Sequence, residues 1–292
     1  MEPRPRAARD GYPARLVCLT EETTETLYRI GAGELVVGVS GYTVRPPEAR
    51  RKPRVSSFLS ADYDKILALA PDAVLAFSDL QADISRELVK RGVPVFTFNQ
   101  RSLAQILTTV RQIGALVGYA EEAERLAAGL QANLERAREA ATRLPRRPRV
   151  FFEEWDDPLI SGIRWVSELV ELAGGEDLFP ELKAEQGAAG RIVKPEEVVR
   201  RDPEVIVGSW CGKKVKFERI RARPGFAETA AVRAGRLHEI KSTLILQPGP
   251  ASLTDGLAEL QRYVHAAARG EPPPPPPPRT PRSAPDASRT GP

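Results

Sequence analysis

The sequence has little of what most reactive sites are made from. Only two cysteines and two histidines occur in 292 residues. Cys18 and Cys211 lie far apart and match no metal-ligand or redox spacing. His238 and His265 are too few for a multi-histidine centre. Any metal is therefore expected to arrive inside a ligand, with no protein-held metal and no intrinsic cofactor. No apolar run approaches the roughly 20 residues needed to cross a bilayer, so no membrane insertion is expected. Residues 1–15 carry charge without the apolar segment of a secretory signal. As the sequence stands this predicts a cytoplasmic protein, or a periplasmic or cell-surface one if the true start lies upstream. Charge of one sign is also lacking: 43 basic residues face 39 acidic ones, for a formal net charge of +4. The positive charges are scattered rather than striped along one face, which excludes nucleic acid as the expected partner.

What is present reads as a soluble globular chain, 41% hydrophobic and 28% charged. Residues 1–13 and 271–292 are expected to be disordered, the latter because Pro272 to Pro278 and the polar residues after them cannot build a core. Between them, short apolar strands alternate with helices. Strands are predicted at 15–19, 35–39, 73–77 and 93–98, with helices at 25–30, 62–70 and 84–91. Residues 102–144 contain no proline and space Ile106, Val110, Ile113, Val117, Leu126, Leu130 and Leu134 at helical intervals. Gly118 divides this stretch, and residues 121–143 alone would span about 34 Å at 1.5 Å per residue. Alternation then resumes, ending in a helix from about Ser252, whose hydroxyl could cap it, to Ala268. Alternating strands and helices predict parallel sheets flanked by helices.

The two halves resemble one another. Asp64 to Leu75 parallels Glu196 to Val207 at a constant offset of 132 residues; in each a helix ends before Pro-acidic and a β-branched strand follows. The predicted architecture is α/β: two Rossmann-like lobes joined by one long helix, with a ligand cleft between them. The boundaries are residues 14–101, 102–144 and 145–270. A single doubly wound sheet is the alternative.

Ligands of α/β lobes bind outside the carboxyl ends of the strands. Tyr42, Phe58 and Phe77 fall at such exits in the first half, and Trp155 and Trp210 in the second. Aromatics are only 6% of the chain, and five at equivalent exits suggest large contacts to a bulky ligand, although each could be ordinary core. Glu153-Glu154-Trp155-Asp156-Asp157 sets four carboxylates around a tryptophan: a polar rim, a paired acid and base, or a plain acidic loop. Cys211, beside Lys213, reads as an activated thiol, a soft metal ligand or an inert cysteine.

These features together resemble the helical-backbone, class III solute-binding proteins of ABC transporters, which take cobalamin and siderophores. The resemblance rests on residues 15–20 with Thr24-Glu25, on Val37 to Tyr42 with Pro46-Pro47, on Ile66 to Asp72, on Ser161-Gly162 and on Ala173 to Asp177. It implies a binding protein, not an enzyme, monomeric, for a large metal chelate such as cobalamin or another corrinoid. Haem, a ferric siderophore, or a corrinoid-handling enzyme are the alternatives. By position it implies ligand contacts at Tyr42, Phe58, Phe77 and Trp155, and polar contacts near Gln247. It also implies an acidic pair, Asp64 and Glu196, that docks on an ABC permease and its ATPase partner. Phe58 and Phe77 depart from the tryptophans usual in cobalamin receptors, and the Trp210-Cys211-Gly212-Lys213 loop is not a family feature.

Overall fold

The computed structural model describes residues 8–275, so residues 1–7 and 276–292 of the two predicted tails lie outside the described residues. The first lobe is a five-stranded parallel sheet in the order β3-β2-β1-β4-β5, formed by β1 (Leu16–Cys18), β2 (Val36–Ser40), β3 (Arg54–Ser56), β4 (Ala73–Phe77) and β5 (Val95–Phe98). Leu16 pairs with Val36 on one side and Ala73 on the other, which makes β1 the strand where the winding reverses. Helices α1 (Glu21–Arg29), α2 (Tyr63–Ala68) and α3 (Ala82–Lys90) are the crossovers. β1 and β4 are buried along their whole length, as a parallel sheet covered on both faces requires.

Two antiparallel helices follow, α4 (Leu103–Leu116) and α5 (Ala120–Thr142). Gly118, at φ +79°, turns the chain between them, a conformation that costs glycine nothing. The long bridging helix is thus α5, 23 residues and about 34 Å. The turn end of this hairpin (Ile113, Val117, Ala123) is buried with Leu16, Leu27 and Leu75 of the first lobe. Its open end (Ile106, Val110, Leu130, Leu134) is buried with Phe152, Trp165 and Val207 of the second. Arg9, in the tail read as disordered, stacks over Tyr119 and pairs with Glu122 beside this turn.

The second lobe holds β6 (Arg149–Asp156), β7 (Leu159–Ser161), β8 (Glu176–Asp177), β9 (Val205–Gly208) and β10 (Leu237–Glu239), in the order β10-β9-β6-β7, with β8 also on β6. β7 runs antiparallel to β6; β8 and β9 run parallel to it. The helices are α6 (Arg164–Leu172), α7 (Pro195–Arg201), α8 (Phe217–Arg221), α9 (Ala230–Arg233), α10 (Ser242–Ile245) and α11 (Leu257–Ala268). The last helix opens on a π turn, Ser252–Gly256. Ser252 does not cap it: its hydroxyl donates to the Gly249 carbonyl, which fastens the preceding loop instead.

The internal repeat extends to the backbone. Ala70 and Asp202, 132 residues apart, both take a left-handed conformation immediately before proline. In each lobe an arginine reaches this helix end: Arg15 donates to the Leu69 and Ala70 carbonyls, and Arg149 to those of Arg201 and Asp202. The acid two residues on from each, Asp72 or Glu204, accepts from the arginine's own backbone N–H.

Candidate functional site

The carboxyl ends of both sheets border the space between the lobes, and β1 leads straight into α1 there. Thr20 stands at the N-cap of α1, but its hydroxyl donates to Glu22 rather than capping the helix. The first turns of α1 carry Glu21, Glu22 and Glu25, all buried. The loop of residues 247–255 from the second lobe sits on them. Gly249 approaches Glu22 so closely that a Cβ there would lie 2.4 Å from the Glu22 Cβ. The Ala251 N–H donates to Glu25 at 3.2 Å, and Arg45 pairs with both Glu25 and Asp255. Gln100, at the end of the first lobe, donates to the Pro248 carbonyl at 3.1 Å. The floor of the cleft is therefore a polar seam.

Burial pushes Glu21 up to about 8 and Glu22 to about 7, because neither carboxyl is given a cation to offset desolvation. Glu25 is raised less, since Arg45 and Arg29 oppose its burial.

The acidic cluster of β6 is neutralised from the second lobe itself. Glu153 is fully buried and accepts a fork of bonds from Arg223 at 2.6 and 2.9 Å and one from the Trp210 indole at 2.9 Å. Glu154 receives both terminal nitrogens of Arg191, at 2.6 and 3.0 Å, and the Ile163 N–H. Asp156 is paired with Lys213 and Arg219, which hold it below the usual carboxylate range despite its partial desolvation. Such saturated carboxylates leave no free acid and base pair, so the catalytic reading of this cluster finds no support.

The predicted contact residues divide by exposure. Tyr42 is half exposed in the loop after β2, and Phe58 is half-buried after β3, its carbonyl accepting from the buried Gln81 side chain. Phe77 is buried at the end of β4, with the Arg101 guanidinium 5.2 Å above its ring. Trp155 is half-buried; its indole donates to the Asp157 carbonyl, and the Lys213 ammonium lies 3.8 Å from its ring centre. Trp210 is 2% exposed and held in the core of its lobe. Gln247 is half-buried in the seam loop. Cys211 is exposed, but local desolvation and the negative charges of Glu21 and Glu154 push its thiol up, the opposite of activation.

Apolar side chains missing from the sequence reading stand beside these aromatics. Val44, Leu59 and Leu80 are exposed on the loops after β2, β3 and β4, and Ile192 is exposed next to Arg191 in the second lobe. Their signal was available, as apolar residues in loops that follow strands. The cavity between Asn99, Arg101 and Gln105 on one side and Ile163, Arg164 and Lys183 on the other is about 130 Å³. That is well below the roughly 300–1,000 Å³ of sites for drug-sized ligands. Asp64 and Glu196 are exposed in the first turns of α2 and α7. Each helix precedes a strand, so its N-terminus lies at the cleft end of its lobe. Among the described residues no cluster of His, Cys, Asp or Glu could hold a metal ion, and no helix is long and apolar enough to cross a membrane.

The sequence profile of the family described as periplasmic binding protein matches residues 16–244. A vitamin B12-binding protein of Pectobacterium atrosepticum is 29% identical over 210 residues, covering 70% of this chain and 74% of that protein. An ABC transporter substrate-binding lipoprotein of Bacillus subtilis is 26% identical over 268 residues, covering 87% of this chain and 80% of that one. Among solved structures, a periplasmic heme-binding protein from Roseiflexus sp. RS-1 superposes with a TM-score of 0.76 at 25% identity, over 87% of this chain and 98% of its own. A lipoprotein and a periplasmic protein among these relatives do not support the cytoplasmic placement expected from residues 1–15.

Proposed function

The chain belongs to the periplasmic binding protein family and is a substrate-binding protein of the ABC transporter type, not an enzyme; from that premise we propose that its ligand is a bulky metal chelate, a corrinoid such as cobalamin. The observation that carries this reading is a set of apolar residues in loops of both lobes: exposed Tyr42, Val44, Leu59 and Leu80 after the strands of one, with half-buried Trp155 and exposed Ile192 in the other. Exposed apolar patches of this kind mark binding surfaces. In this reading the ligand lies between the lobes against these side chains. Half-buried Phe58 and Gln247 then add contacts, while buried Phe77 and Trp210 serve the packing of their lobes. Relatives named for vitamin B12 and for heme both fit a flat, apolar-bodied ligand.

In this reading Asp64 and Glu196, one on each lobe at the cleft end, are the docking points for the permease, on the outer side of the membrane. Titration of the purified protein with cyanocobalamin and with hemin, followed by absorbance and calorimetry, tests the ligand. Saturable cyanocobalamin binding is expected, and Trp155→Ala should weaken it by roughly 1–4 kcal/mol, as loss of a central aromatic anchor does. Binding of hemin alone would transfer the site to haem.

A further inference from the structure

The cavity between the lobes is too small for the body of a chelate, yet almost every polar group lining it still has a hydrogen to give. At about 130 Å³ it has room for about four waters, or for one phosphate-sized group. Arg101 lines it from the first-lobe side, with Arg164 and Lys183 opposite. The Arg101 side chain is 11% exposed, while the one carboxylate that pairs with it, Asp79, is 76% exposed. A nearly buried cation thus relies on an acid that water already screens. Burial holds the guanidinium below its ordinary value, Arg191 adds to this by repulsion, and Asp79 and Glu154 do not restore it.

The hydrogen bonds within the lining use up its acceptors. The Asn99 side-chain oxygen accepts from Arg101 Nε, and that of Gln105 from the Arg101 backbone N–H, so each amide keeps its NH2 group. Arg101 spends Nε and Nη2, which leaves Nη1 without a hydrogen-bond partner among the described residues. Arg164 spends Nε on Glu168, which leaves both of its terminal nitrogens. Glu168 is filled, since its other oxygen takes the Leu103 N–H, and Lys183 pairs with Glu171. The one acid in the lining, Glu185, is folded onto Gly190, where an added Cβ would lie 2.3 Å from its Oε2.

We propose that this cavity is the oxyanion subsite of the cleft, seating a phosphodiester carried on an arm of the chelate. The inference rests on the corrinoid reading above and adds to it a group that the ligand must carry. Donors reach the cavity from the end of the first lobe, from α4 and from the start of α6. A tetrahedral oxyanion presents acceptors in several directions at once, whereas the two oxygens of a carboxylate lie in one plane. Charge-assisted bonds from arginine are the strong ones, and three cations here face the single carboxylate of Glu185. Held by Arg101 from one lobe and Arg164 from the other, the oxyanion would also tie the two lobes together.

The test titrates the full chain with cyanocobalamin, whose nucleotide arm carries a phosphodiester, and with dicyanocobinamide, the same macrocycle without that arm. The unaltered protein should bind cyanocobalamin at least about tenfold more tightly, as charged hydrogen bonds to one group allow. Arg101→Gln with Arg164→Gln should lose about tenfold for cyanocobalamin and stay within about threefold for dicyanocobinamide. Arg164→Gln alone, at an exposed position, should show the same pattern at smaller size, and thermal melting monitors folding in each variant. Equal affinities for the two corrinoids, or an equal loss for both in the variants, overturns the proposal while leaving the corrinoid reading intact. Thermal stabilisation by inorganic phosphate, together with equal corrinoid affinities, would assign the cavity to a free ion and likewise overturn it. If neither corrinoid binds the unaltered protein, the corrinoid reading itself falls.

Discussion

At Glu153 the Trp210 indole and the Arg223 fork converge from 57 and 70 residues further along the chain, on a side chain with no solvent exposure. A carboxylate so placed is tolerable only with its partners, because unpaired burial of the charge is costly. Arg223→Ala should therefore destabilise the protein by about 3–5 kcal/mol in urea unfolding. Replacing both partners by leucine should recover much of that loss, since two apolar groups leave no charge behind. The same site shows where the sequence stopped being readable. Four carboxylates around Trp155 are visible as a string, but the cations that neutralise three of them, Glu153, Glu154 and Asp156, reach them only through the fold: Arg191, Lys213, Arg219 and Arg223. Trp210 looked equivalent to Trp155 by position after a strand; only burial separates them. Glu21 and Glu22 went unnoticed for the converse reason, since acidic residues opening a helix are ordinary until something covers them.

The α4–α5 hairpin was legible in composition and period, and Gly118 marked its break. That the chain doubles back there was not, because helical spacing carries no direction. The close approach of the two helices depends on Gly114: a Cβ added there would lie 2.1 Å from the Ala123 Cβ and 2.8 Å from the Tyr119 carbonyl oxygen, both on fixed backbone. Gly114→Ala should cost about 1–3 kcal/mol through forced separation of the helices. Gly129, on the exposed face of α5 with nothing within 4 Å of its missing Cβ, makes the matched contrast. Gly129→Ala should stabilise by about 1 kcal/mol, the ordinary propensity gain, and thermal melts of the two variants should move in opposite directions. The short elements escaped the sequence reading. β3, β7 and β8 have three residues or fewer, and α8 to α10 have four or five, too few for any period to emerge. The repeat fared better, because its Pro-acidic step is tied to a backbone conformation shared by Ala70 and Asp202.

For the whole molecule, the seam between the lobes carries a pH dependence. Glu21 and Glu22 sit near 8 and 7 in the folded protein against an ordinary 4.5, so the folded state binds their protons more tightly than the unfolded chain does. Their contribution to stability is fully present below about pH 4.5 and is lost as pH rises through 7 to 8. Urea unfolding at pH 5, 7 and 9 should show stability falling across that window, and Glu21→Gln with Glu22→Gln should flatten the fall. The two-lobed plan itself was readable from strand–helix alternation and the 132-residue offset. The contacts that hold the lobes together, Gln100 to Pro248 and Arg45 to Asp255, were not, since each joins residues more than 140 positions apart.

The unequal burial of the tryptophans has an optical consequence. Trp165 is enclosed in the second lobe with its N–H on the Ile245 carbonyl, and Trp210 is enclosed against Glu153, so both emit from fixed, dry surroundings. Trp155 alone is open to solvent at the cleft, beneath a lysine ammonium. The molecule thereby carries its own fluorophore at the mouth of the site, read against two that stay constant in colour.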